Sequence, residues 1–206
     1  MTILQILKDY PIAQKALKHI ILTNTANNAP YHNLNHLLTV TRHAYNALTF
    51  NNSFAGGCVE DVLVACLFHD YNHSQGKFKD DENIRIAKEG MVSFLNSLEY
   101  NSLDTDFMEH IIDATQYPYV IPSEELCPYQ KIIRDADLCQ IYEYDWLKQN
   151  IFGLSLEIGI PVVDLLPGQI NFLSGIKPLT EYGKYMHDKY FEAVWGEVIF
   201  LEKIME

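Results

Sequence analysis

The chain has 206 residues, 48% of them hydrophobic and 20% charged, with a formal net charge of -12. That length and apolar content suit a single domain, residues 1–206, with a substantial core. The acidic balance excludes a broad duplex-binding surface, which needs clustered Lys and Arg, but not a small phosphorylated substrate, because a bound metal is the largest charge in its own site.

Apolar positions recur with helical spacing along nearly the whole chain. Ile3, Ile6 and Leu7 begin one pattern, and Ala13, Leu17, Ile20 and Ile21 continue it. Lys8, Asp9 and Pro11 interrupt it, so the N-terminus does not read as a signal peptide. Asn27-Asn28-Ala29-Pro30 breaks the chain before a helix marked by Leu34, Leu37, Leu38, Tyr45 and Leu48. Asn51-Asn52-Ser53 and Gly56-Gly57 close that helix. Residues 62–68 are almost all apolar, which predicts a central helix buried on most sides. Helical patterns follow at 84–98, 107–115, 130–148, 170–176 and 182–204. Pro118, Pro122 and Pro128 mark one loop, and Pro161, Pro167-Gly168 and Pro178 mark others. Strand alternation and repeats are absent. The fold class is therefore all-α, a compact single-domain helical bundle. No hydrophobic run is long enough to span a bilayer. The four cysteines, Cys58, Cys66, Cys127 and Cys139, form no C-x-x-C pair and read as reduced thiols. A soluble cytoplasmic protein without a membrane partner is expected.

Two strings concentrate chemistry: Tyr31-His32-Asn33-Leu34-Asn35-His36 and His69-Asp70-Tyr71-Asn72-His73. His32 and His36 are four apart, so a helix puts both on one face. His69 and Asp70 are adjacent and diverge on a helix, so both reach one ion only near a helix end or a bundle seam. Asp137 lies in an apolar run, where a lone carboxylate is costly and a cation is its natural partner. Two His and two Asp make a ligand set for a divalent metal, and a spare His beside them can move protons. The combination reads as metal-assisted hydrolysis. One His-Asp pair alone carries little weight: His187-Asp188, in the charged stretch 184–189, reads as a solvated helix face. His43 reads as a core-edge residue, His19 as surface, and His110 as a surface or packing residue. Trp146 and Trp195 read as core. Lys77, Lys79 and Arg85 are candidate phosphate contacts or plain solvated charges.

The ordered set resembles the HD-domain metal-dependent phosphohydrolases. Within them it is most similar to the catalytic domains of 3',5'-cyclic nucleotide phosphodiesterases. Y-H-N-x-x-H stands as Tyr31 to His36, H-D-x-x-H as His69 to His73, and E-N-x-x-x-A as Glu82 to Ala87. Ala114-Thr115 resembles the A-T-D segment, Ala136-Asp137-Leu138 the A-D-L segment, and Gln169-Ile170-Asn171-Phe172 the Q-x-x-F segment. The resemblance implies that His36, His69, Asp70 and Asp137 hold a first ion (zinc, manganese or iron). Asp70 would bridge to a second, magnesium or manganese. It implies that a metal-bridging hydroxide attacks phosphorus while His32, as general acid, protonates the leaving oxygen. His73, Glu82 and Thr115 would tune the bridging water and the second-metal shell. Tyr31, Gln169 and Phe172 would contact the substrate, Gln169 at the purine edge and Phe172 by stacking. The implied activity is hydrolysis of a small nucleotide, foremost a 3',5'-cyclic nucleotide to its 5'-monophosphate.

The chain departs from the family in places. The segment between His73 and Glu82 is compressed, Gln116 follows Ala114-Thr115 where the family has Asp, and Cys139-Gln140 follows Asp137-Leu138 in place of a polar S-N-P. Metal chemistry therefore transfers better than substrate identity. A broader HD phosphohydrolase acting on nucleoside monophosphates or cyclic oligonucleotides remains an alternative. So do a diiron oxygenase using His110 and a nucleotide-binding module without turnover. Oligomeric state stays open.

Overall fold

The computed structural model describes residues 1–52 and 57–205. Ser53 and Gly56, expected to help close the third helix, and the terminal Glu206 lie outside the described residues. Among the described residues there are ten α-helices and no strand, as the periodicity predicts. No helix is long and apolar enough to cross a membrane.

The N-terminal pattern divides into α1 (Ile3–Leu7) and α2 (Pro11–Thr23). Thr2 and Gln5 cap α1 reciprocally, and Pro11 opens α2 at a position where its missing N–H costs nothing. Asn33 caps α3 (Leu34–Thr49): its side chain accepts the His36 N–H at 3.0 Å. His32 therefore precedes the helix and is not on it, contrary to the shared helical face expected for His32 and His36. The local reason is the preference of Asn for the capping position over the helix interior.

α4 (Val59–Phe68) is the central element. Val62 through Phe68 are all fully buried. Each large apolar side chain there contributes about 1.5–3 kcal/mol by leaving water, so α4 is a fixed floor for whatever stands at its C-terminal end. Its last turn closes at His69, and Asp70 follows directly. Asn72 takes a left-handed conformation (φ 56°), which Asn tolerates better than most residues. Its side chain accepts the Thr25 N–H at 2.8 Å, and its own N–H is taken by Asn24 at 2.8 Å. This turn, not a continued helix, brings His73 back toward the start of α3.

α5 (Asp80–Asn96), α6 (Thr105–Asp113) and α7 (Pro128–Leu138) complete the main core with α1 to α4. The single helical stretch expected over 130–148 is broken. After α7 the chain tightens into a 3₁₀ turn, Cys139–Tyr142, and resumes as a π-helical segment, Leu147–Gly153, leading into α8 (Leu154–Ile158). α9 (Val162–Ser174) contains Pro167, which the sequence reading placed in a loop. The bond that Pro167 cannot make would have gone to the carbonyl of Val163, which is exposed and open to hydration. α10 (Glu181–Met205) closes the chain. A second apolar cluster holds Trp146, Ile151, Leu166, Leu173, Val194 and Val198 together. The principal cleft lies where the two clusters meet, bounded by Ile84 of the first and by Ile141, Trp146 and Leu173 of the second.

Candidate metal centre

Four side chains that are far apart in sequence converge at the floor of this cleft. His36 Nε2 lies 3.0 Å from Asp70 Oδ2, 3.3 Å from Asp137 Oδ1 and 3.1 Å from His69 Nε2. His69 Nε2 lies 3.1 Å from Asp70 Oδ2 and 3.9 Å from Asp137 Oδ1. An ion held at roughly 2.0–2.2 Å by N and O ligands spaces them about 2.9–3.6 Å apart. Four of the five edges fall in that range, and the His69–Asp137 edge, at 3.9 Å, is longer.

The tautomers sharpen the fit. His69 Nδ1 donates to the Cys66 carbonyl at 2.8 Å. His36 Nδ1 donates to the Gln140 side-chain oxygen. Each ring thereby spends its proton outward and turns an Nε2 lone pair inward, the usual way a ligating His is oriented. Two lone pairs and two carboxylates then face one point with no donor among them. A divalent cation satisfies that arrangement. Without one, protons must substitute: burial opposes charge on His36, but Asp137 and Asp70 outweigh it and push its pKa up to about 10. His69 moves the same way against the same burial, driven by Asp70.

A second group, His32, Asp70 and His73, adjoins the first through the shared Asp70; in each group the ligand atoms lie within 4.8 Å of one another. The His32 and His73 rings lie against each other, tilted by 32°, with centroids 3.6 Å apart. His73 Nε2 accepts from Asn83 Nδ2 at 2.9 Å, an orientation fixed because the Asn83 oxygen accepts the Ser74 N–H at 3.0 Å. His73 is thus tied down as a support.

Glu157 is the main residue the sequence reading missed. Its fully buried carboxylate accepts the backbone N–H of Tyr31 at 2.9 Å and of His32 at 3.0 Å, and it takes the His32 Nδ1 proton. Burial by itself would raise its pKa, yet the hydrogen bonds with His32 and His73 hold it well below the usual carboxylate range. His32 lines the cleft, and Nε2 is the ring nitrogen that the bond to Glu157 leaves free. α8 can approach this closely because of Gly153: a Cβ there would stand 2.5 Å from the Pro30 carbonyl oxygen. In the sequence, Glu157 is one carboxylate in the unassigned stretch between 148 and 161, without a motif. Gln140 was noted as a departure from the S-N-P pattern, and its role became visible only through the 3₁₀ turn.

The remaining expected site residues divide. Tyr31, Thr115, Gln169 and Phe172 all line the cleft, whose volume is about 420 Å³. Phe172 meets Tyr117 edge-on at 5.7 Å. Glu82 does not reach it. It lies on the solvent side of α5 with both carboxylate oxygens engaged by Arg85, at 2.8 and 2.6 Å. One residue per 100° of helix separates it from Asp80 by more than half a turn; Asp80 does line the cleft and accepts the Tyr117 N–H at 2.6 Å. In the sequence Asp80 merges into a solvated charge run. Arg85 is committed to Glu82 and Glu89, and Lys77 and Lys79 are exposed away from the cleft lining.

The other histidines keep structural roles. His110 is exposed and belongs to neither ligand group. His19, expected at the surface, is half-buried and packs against Phe68, Tyr71 and Phe94. His187 and Asp188 form a loose 3.7 Å pair with Asp188 largely exposed. All four cysteines are free, with Cys66 and Cys139 buried.

His43 joins Tyr182 at 2.8 Å and Glu143 at 2.9 Å, with Arg42 also on Glu143 at 2.7 Å. Burial would raise the Glu143 pKa, but His43 and Arg42 hold it down, to about 2. A depressed carboxylate stabilises the fold above its unfolded value of 4.5 and loses that contribution as pH falls toward 2. Acid titrations followed by circular dichroism should therefore show the native protein more stable than Glu143→Gln at pH 7. The gap should close between pH 4.5 and 2.

No protein-family model matches the chain, and no curated protein matches it.

Proposed function

We propose that this chain is a metal-dependent phosphohydrolase of the HD type, acting on a nucleotide phosphoester and foremost on a 3',5'-cyclic nucleotide. One observation carries the reading. Two buried imidazoles and two partly buried carboxylates converge on a point from α3, the C-terminal end of α4 and α7, and an imidazole backed by a buried carboxylate lines the same cleft. His36, His69, Asp70 and Asp137 would hold the first ion, and Asp70 is placed to share a second. Zinc, manganese or iron suits the His-rich position, and magnesium or manganese a second position bound mostly by water. When bound, such ions supply Lewis acidity toward phosphoryl oxygens and lower the pKa of water to near neutrality.

The chain's own residues supply the rest. Glu157 fixes the His32 ring through Nδ1, so that Nε2 is the atom able to give a proton to a departing oxygen. Gln169 offers a donor and an acceptor to a base edge, and Phe172 a stacking face. Trp146 and Ile141 give the cleft an apolar wall. Asp80, and not Glu82, is the α5 carboxylate that can support the second ion.

Elemental analysis of purified protein, followed by assays on cyclic and linear nucleotides, tests this. Close to stoichiometric divalent metal and release of a 5'-monophosphate are expected, with activity lost on chelation and restored by metal. Equal turnover in chelator-stripped protein would refute the proposal. Asp80→Asn should weaken binding of the second ion roughly 10-fold, the low end for a supporting group. Glu82→Gln should leave it within about twofold, as for an exposed pair; calorimetric titration with manganese measures both.

A further inference from the structure

A second hollow, of about 390 Å³, adjoins the metal cleft and shares Tyr117, Tyr119, Leu138 and Phe172 with it. Arg134 forms part of its wall. This residue is 4% exposed. Its Nε donates to the Ala114 carbonyl at 2.9 Å, and Nη1 to that of Ile121 at 3.1 Å. The guanidinium lies over the Tyr119 ring at 4.0 Å. Nη2 is buried and has no hydrogen-bond partner.

That arrangement lacks a counter-charge. Among the described residues no carboxylate pairs with Arg134. The adjacent Asp135 is committed elsewhere, accepting the N–H groups of Leu179 and Thr180 and the Thr180 hydroxyl at 2.7–3.0 Å. Arg stays charged in proteins, and a desolvated guanidinium with one unpartnered amino group, Nη2, is matched by a phosphate or carboxylate. Lys177 and Asn171 line the same hollow, and Lys177 has no ion pair among the described residues. In a chain of net charge -12, two unpaired cations on one hollow beside the cleft are a local reversal of sign.

We propose that this hollow is a phosphate subsite, in which Arg134 and Lys177 hold a second phosphate of the substrate while the scissile phosphoester lies over the metal centre. Beyond the cyclic mononucleotide, whose single phosphate would leave this hollow empty, the chain would then also take nucleotides carrying two phosphate groups, such as a linear dinucleotide with a terminal phosphate. This deepens the phosphohydrolase reading and rests on it for the substrate, but the anion site itself does not require it.

The test separates the two. Inorganic phosphate is titrated into chelator-treated protein and followed by ³¹P NMR line broadening. Saturable binding is expected in the native protein and in His69→Ala. At least 10-fold weaker binding is expected in Arg134→Gln, and several-fold weaker binding in Lys177→Gln. Because Arg134 also holds two carbonyls, circular dichroism checks its fold; Lys177→Gln, at an exposed position, carries the test if Arg134→Gln does not fold. No saturable phosphate binding, binding unaffected by either variant, or acetate binding as tightly as phosphate overturns the subsite. In the metal-loaded protein, Lys177→Gln should raise KM about 10-fold for a 5'-phosphorylated dinucleotide and leave KM unchanged for its dephosphorylated form. An equal change for both substrates overturns the second-phosphate assignment. Phosphate binding with no turnover of any nucleotide would leave the subsite standing and remove the phosphohydrolase reading.

Discussion

Asp70→Ala is expected to strip the protein of divalent metal and to lower phosphoester hydrolysis by at least about 10³-fold, some 4 kcal/mol of barrier. Asp70 is the shared member of both ligand groups, and its Oδ2 stands 3.0 and 3.1 Å from the inward nitrogens of His36 and His69. Removing it leaves two imidazole lone pairs facing each other with one carboxylate, and takes the common ligand from the adjoining group. The metal-free protein should nevertheless fold. The burial of α4, immediately before Asp70, does not depend on the carboxylate. Thermal unfolding gives the independent readout. At a metal concentration of 100 times Kd the native protein should gain about 2.7 kcal/mol, and Asp70→Ala should gain almost none. An unchanged metal stoichiometry in Asp70→Ala would show that the converging side chains do not form the ion site.

The second large effect belongs to Glu157. Glu157→Gln should reduce turnover about 10²-fold while metal content stays at the native level. The carboxylate accepts three close N–H groups, two from the backbone of Tyr31 and His32 and one from the His32 ring, and His73 Nδ1 stands further off at 3.5 Å. An amide cannot accept all three with the same charge, and its NH₂ group opposes one of them. The ring then loses its fixed orientation, and with it the outward aim of Nε2. His32→Ala should cost a similar factor, because the two residues act as a unit. The double variant should therefore be no slower than the worse single one, a strongly non-additive result. Additive losses in the Glu157→Gln and His32→Ala cycle would instead mean that the carboxylate only braces the 30–32 loop against α8.

Much of this site could be read before any coordinates. The ligands stood in recognisable strings, and the apolar run before His69 predicted a helix ending where two adjacent ligands could share an ion. The lone Asp137 in an apolar run announced a charge in need of a partner, although the carboxylate proves only partly buried. Asn33, by contrast, shows the limit of spacing: H-x₃-H implied one helical face, while the capping preference of Asn started the helix after His32 and left the ring on the preceding turn. Glu82 and Asp80 show it again. Both lie in one acidic run, and only the rotation of α5 against the cleft decides which carboxylate enters.

By itself the sequence determined the helical class, the central helix and the side chains that could hold a metal, because periodicity and residue type are local properties. The tertiary structure alone decided the outer partners: Gln140 on His36, Cys66 carbonyl on His69, Glu157 on His32, and Arg134 left without a counter-charge. Except for the carbonyl one turn before His69, those pairings bridge distant parts of the chain or rest on an absence. The Gln140 pairing depends on a 3₁₀ turn and the Glu157 pairing on a close glycine approach, and so on how helices meet, which no spacing along the chain encodes.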